Sequence, residues 1–157
     1  MIKLKTEEDI KKLRVGGRRL GNILKLLATK VLPGVTTSEL DDDARGLIAA
    51  GGDEAAFLNY RPSGSRLAYP AASCVSINDE IVHGIPSQRV IKEGDLVTLD
   101  LGLKHEGLIV DAAITVMAGE ASKEARHLLD GTKEALAVAI KTARVGKTVG
   151  DIGAAAE

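Results

Sequence analysis

The sequence predicts an α+β protein built on one antiparallel sheet covered by helices. The central observation is a pair of β-branched, leucine-rich runs, residues 95–103 (DLVTLDLGL) and 108–116 (LIVDAAITV). They are separated by Lys104-His105-Glu106-Gly107, which is a hairpin signal. The second observation is a pair of amphipathic helical patterns ahead of the hairpin. The third is an internal echo. Aligning Gly34 with Gly146 pairs Thr36 with Thr148, Glu39 with Asp151 and Leu40 with Ile152, so a helix, a glycine turn and a capped helix occur twice, 112 residues apart.

Thr6 is placed to cap the first helix, with Asp9 three residues on and Ile10, Leu13, Leu20, Leu24 and Leu27 at helical spacing; Pro33-Gly34 stops it. Thr37 or Ser38 caps a second helix whose inward face is Leu40, Ala44, Leu47 and Ile48, ending at Gly51-Gly52. These two helices are expected to cover one face of the sheet. Residues 57–70 (FLNYRPSGSRLAYP) are rich in turn formers without a sustained period, which predicts a loop at the rim of a pocket. A strand follows at 73–77, and Asn78-Asp79 marks a turn before residues 81–84. Ser122 caps a long third helix with Leu128, Leu129, Leu136, Ala139 and Ile140 on its apolar side, interrupted by Gly131 at modest cost.

A hydrophobic content of 45% beside 27% charged residues fits one globular domain with a real core, and no apolar run reaches the length of a membrane span. The start, MIKLKTEEDIKKLR, is charged from its third residue, so a cytoplasmic location is expected. The lone Cys74 cannot form an internal disulfide and reads first as a small buried side chain. A net charge of −1 gives no general attraction to DNA or to acidic membranes. The basic first thirty residues and the acidic Glu39, Asp41, Asp42 and Asp43 read as solvated helix faces, with ribosomal RNA contact as the functional alternative.

A turn centred on His105 and Glu106 sets Leu103 opposite Leu108, Leu101 opposite Val110 and Asp100 opposite Asp111. Like charges directly opposed on a sheet repel. A shared proton, a basic partner or a divalent cation offsets that repulsion, the cation best, unless a register slip separates the two or one Asp turns to solvent beyond the sheet edge. His83 precedes Gly84, where backbone can approach a ligand closely; taken alone it reads as structural, as do His105 in the turn and His127 on a helix.

Val82-His83-Gly84-Ile85-Pro86, Gly94-Asp95 opening a strand, Asp100 in Leu99-Asp100-Leu101-Gly102 and Asp111 eleven residues later resemble the type I methionine aminopeptidases of the pita-bread fold. The head of the chain (Lys5-Thr6-Glu7-Glu8-Asp9-Ile10, then Pro33-Gly34-Val35-Thr36-Thr37 and Glu39-Leu40) resembles that family too. The resemblance implies that Asp100 and Asp111 are two of five metal-binding side chains. It also implies that His83 contacts substrate near the scissile peptide, and that Tyr69 and Cys74 lie at the pocket for the methionine side chain. Two departures are Ala112, where the family often has Ser or Thr, and the Leu58 to Arg66 loop.

The function so implied is removal of the N-terminal methionine from nascent polypeptides by a metal-activated water, with two divalent ions (Co, Mn, Fe or Zn). The alternatives are an Xaa-Pro aminopeptidase or creatinase-like hydrolase, or a metal-free binding module on the same fold. Residues 1–157 read as the N-terminal portion of one catalytic domain, the first repeat covering about 1–121 and the start of a second covering 122–157. The remaining C-terminal half, carrying one His and two Glu ligands, is then a required partner, and the 157 residues alone are expected to be inactive.

Overall fold

In the computed structural model, which describes residues 4–157, the elements run α1 (Glu7–Ala28), α2 (Thr37–Ala50), β1 (Glu54–Ala55), β2 (Ser73–Ile77), β3 (Leu96–His105), β4 (Leu108–Met117), α3 (Lys123–Thr142) and α4 (Val149–Ala156). They form two compact units, one up to Glu120 and the other Ala121–Glu157. No helix among the described residues is long and apolar enough to cross a membrane.

Helix α1 begins at the expected cap. Thr6 accepts from the Asp9 amide, and Asp9 accepts from the Thr6 amide in return. The helix ends at Ala28, ahead of Pro33, because Thr29 closes the last turn by bonding back to Leu26. The cap of α2 is Thr36, not Thr37 or Ser38. Glu39 stands three residues beyond Thr36, so the reciprocal capping box closes there. The Thr37 hydroxyl is thereby free to bond Ser87 across the chain.

The hairpin register differs from the expected one. Glu106 and Gly107 occupy the turn, with φ of 45° and 83°, and His105 closes β3 opposite Leu108. Two consecutive left-handed residues suit the twist of a hairpin, and glycine takes the second position without strain. Every pairing therefore moves by two residues: Asp100 lies opposite Ala113, and Asp111 opposite Gly102. An even shift leaves each side chain on its intended face, so the two aspartates share a face but stand diagonally rather than directly opposed.

Strand β4 pairs along all of one edge of β3, while β1 and β2 pair with successive stretches of the other. Val75, Ile77, Val97, Leu99, Leu101 and Leu103 alternate onto one face and are buried against Leu20, Leu24 and Leu27 of α1 and Leu40, Ala44 and Ile48 of α2. The two helices thus cover one face, as their apolar periods require. The opposite face carries Cys74, Ser76, Thr98, Asp100 and Gly102.

His105 is not a turn residue but a buried one. Its Nδ1 lies 2.7 Å from the Asp53 carboxylate, whose other oxygen accepts from Arg19 at 3.1 Å. Gly16 of α1 makes room for this ring, since a Cβ there would meet the His105 Cβ at 3.1 Å. Burial pushes the Asp53 carboxyl up, but the hydrogen bonds from His105 and Arg19 outweigh it and hold it below the ordinary carboxylate range. The sign follows: Asp53 stabilises the fold above its unfolded pKa, and that contribution is lost as pH falls through its depressed folded value. Acid titration of Asp53→Asn, followed by chemical denaturation, is expected to show a shallower loss of stability below pH about 4 than the parent.

In the second unit Ser122 caps α3 as expected, and Thr148 caps α4 through a box with Asp151. The local construction at the start of α4 matches that at α2: Gly34 and Gly146 both have left-handed φ, 96° and 88°, two residues before a capping threonine. Leu128, Leu136 and Ile140 on α3 are exposed.

Candidate active site

The uncovered face of the first unit opens into a cavity of about 760 Å³ whose walls include Tyr69, Cys74, His83, Asp100 and Asp111. Phe57, Tyr60 and Leu67, from the segment between β1 and β2, complete its apolar side. The strand alternation delivers three of these groups. Cys74 pairs with Asp100 across β2 and β3, and Asp111 of β4 lies one step diagonally beyond. Diagonal neighbours on a sheet are about 7–8 Å apart at the backbone, within reach of each other's side chains. Burial, then the negative charge of Asp111 and a hydrogen bond with it, push the Asp100 carboxyl up; the nearby His83 pulls it down.

Gly102, opposite Asp111, has no side chain for a reason. A Cβ there would come within 2.7 Å of the Phe57 ring, which lies across β3 at this point. Phe57 in turn meets Tyr69 edge to face, with centroids 6.5 Å apart. The loop is tied at its neck by Asn59 donating to Tyr69 and Tyr69 donating back to Tyr60.

Tyr69 and Cys74 touch: the hydroxyl is 3.1 Å from the sulfur and 3.1 Å from the Ser73 carbonyl. Burial pushes the Tyr69 phenol well up. It does the same to the Cys74 thiol, against the pull of the Tyr69 hydrogen bond. Both groups therefore stay neutral, and the cavity wall they form carries no charge of its own.

His83 is exposed at the cavity and adopts φ of 62°, a left-handed conformation uncommon outside glycine. Residues 81–84 form no strand; they are an irregular segment whose Gly84 is tied to the outer edge of β2.

Sequence reasoning passed over Asp41. It is buried, not part of a solvated acidic face, and one of its oxygens accepts from the Ala72 amide, the Ser73 amide and the Ser73 hydroxyl at 2.8–2.9 Å. The other oxygen accepts from Arg45, which also donates to the Pro70 carbonyl. One helix residue thus fixes the chain between Tyr69 and Cys74. The signal was present, because Asp41 shares helical spacing with the buried Thr37, Ala44 and Ile48.

The model for Metallopeptidase family M24 matches residues 11–157. The chain belongs to metallopeptidase family M24. Among curated relatives of this M24 chain, the methionine aminopeptidase of Aquifex aeolicus (strain VF5) is 47% identical over 152 residues, covering 96% of the chain and 59% of the relative. The methionine aminopeptidase structure from Thermotoga maritima aligns with a TM-score of 0.89 at 34% identity, over 97% of the chain and 59% of the other. That from Rickettsia prowazekii gives 0.93 at 32%, over 99% and 60%. The prolidase of Pyrococcus horikoshii OT3, at 20% identity and a TM-score of 0.82, shares the fold. The arrangement is the pita-bread fold, and the M24 chain spans about 59% of the length of the Aquifex relative.

For the M24 chain, the residues present fit a divalent cation. Two carboxylates lie on one face, and burial and then the negative charge of Asp111 push the Asp100 carboxyl up, a repulsion that a hard cation offsets. Among the described residues, no cluster of three or more His, Cys, Asp and Glu side chains suited to a metal forms.

Proposed function

We propose that the protein carrying this chain removes the N-terminal methionine from newly made polypeptides in the cytoplasm, by metal-dependent hydrolysis. The observation that carries the reading is the cavity itself, in which an uncharged wall of Tyr60, Leu67, Tyr69 and Cys74 faces the carboxylates of Asp100 and Asp111. An unbranched thioether side chain suits such a wall. The 47% identity to a protein named methionine aminopeptidase supports the same reading.

Asp100 and Asp111 hold one or two divalent ions from among Co, Mn, Fe and Zn. When bound, the metal supplies a water of lowered pKa and offsets charge on the peptide carbonyl oxygen. His83, exposed at the cavity, hydrogen-bonds the substrate or its leaving amine. The remaining donors, one His and two Glu, come from outside residues 1–157, in a second repeat that begins at about residue 122. The matching glycine turns and capping boxes support this repeat, as does the greater length of the relatives.

In the intact protein, His83→Ala is expected to lower methionine release from a Met-Ala peptide by about a hundredfold or more while metal content stays unchanged. Loss of metal in proportion to activity would place His83 among the metal ligands. Cleavage of an Xaa-Pro dipeptide in preference to Met-Ala would favour the prolidase-like alternative.

A further inference from the structure

We infer that Ser76 is the positioning residue for His83, acting through the backbone of Gly84; the inference rests on the role given to His83 above. His83 sits in a left-handed conformation that strains a non-glycine residue and persists only where its surroundings impose it. What imposes it lies on the next residue. The Gly84 amide donates to the Ser76 hydroxyl at 3.1 Å, and the Gly84 carbonyl accepts from the Val75 amide at 2.9 Å. Tyr69 adds a longer bond from its hydroxyl to the same carbonyl, 3.4 Å.

The approach is close enough that a Cβ on Gly84 would lie 2.3 Å from the Val75 carbonyl oxygen. Gly84 is thus pinned flat against β2, and His83, one bond away, is turned toward the face that carries Asp100. Of the groups that pin it, Ser76 supplies the one side-chain acceptor for the Gly84 amide. Ser76 is itself buried on the rigid strand β2, beside Thr98 of β3. A side chain locked by packing and bonded to the neighbour of a reacting group holds such geometry more tightly than a loop can.

The test is a double-mutant cycle in the intact, metal-loaded protein, with Ser76→Ala, His83→Ala and the pair, read as kcat and KM for a Met-Ala peptide. Ser76→Ala is expected to lower kcat about ten- to a hundredfold, with KM and metal content near the parent values. Adding Ser76→Ala to His83→Ala is expected to change nothing further, because the hydroxyl acts only through the imidazole. Ser76→Thr, which keeps the hydroxyl, is expected to recover most of the rate. Hydrogen exchange at the Gly84 amide supplies a reading independent of activity: protection falls in Ser76→Ala and returns in Ser76→Thr. Additive effects in the pair, or a normal kcat for Ser76→Ala beside an impaired His83→Ala, overturn the inference alone. An unimpaired His83→Ala overturns the role of His83 as well.

Discussion

Replacing Asp41 by alanine is expected to lower folding stability by about 3–5 kcal/mol, the usual consequence of removing one partner from a buried charged network. Asp41 is 4% exposed, and its carboxylate satisfies two backbone amides, a serine hydroxyl and Arg45. Alanine leaves the Ala72 and Ser73 amides buried without acceptors, each at about 1–3 kcal/mol. Asparagine keeps one carbonyl oxygen for those amides and loses the charge facing Arg45, so Asp41→Asn is expected to lose roughly half as much. Urea denaturation of both variants checks this. Equal losses would show that charge, not acceptor geometry, holds the segment, and a loss under about 1 kcal/mol for alanine would show that water replaces the carboxylate.

Asp100→Asn is expected to pull metal binding and metal-free stability in opposite directions. Even groups behind the ligands of metal sites change affinity by about 10- to 100-fold, so under the proposed role of Asp100 as a metal donor its loss is expected to weaken binding by more than that, with the proposed methionine release falling in step. Without metal, the parent carries a carboxyl whose charged form burial and Asp111 disfavour. A raised folded pKa means that the metal-free fold loses stability as pH rises from the unfolded value through the folded one. The asparagine variant has no such slope and is expected to melt higher than the parent at neutral pH when both are stripped with chelator. A lower melting temperature for the stripped variant would mean that Asp100 makes structural bonds that outweigh its repulsion.

The elements with strong periods were legible in the sequence: α1, α3, β2 and both hairpin strands stand within a few residues of their expected places. The hairpin register was not, because Lys104-His105-Glu106-Gly107 admits two turn centres and the choice depends on which residues accept left-handed φ. The aspartates nevertheless share a face, since the two registers differ by an even step. Thr36 displaced Thr37 and Ser38 as a cap because the position of Glu39 decides the box. Strand β1, two residues long, is too short to show a period. Asp41 was grouped by charge with Glu39, Asp42 and Asp43, although its helical spacing marks it as buried. The Ser76 to Gly84 bond joins a strand to an irregular segment, and spacing along the chain carries no sign of it.

The sequence has no tryptophan and two tyrosines, Tyr60 and Tyr69, and both line the cavity. Near-ultraviolet absorption and intrinsic emission of these residues therefore arise almost wholly at the site, with the rest of the chain optically silent above the phenylalanine band. Tyr69 hydrogen-bonds the thiol of Cys74, and the strand pairing sets that residue against Asp100. The chromophore thus sits one strand pairing away from Asp100, and the light it absorbs and emits belongs to the cavity.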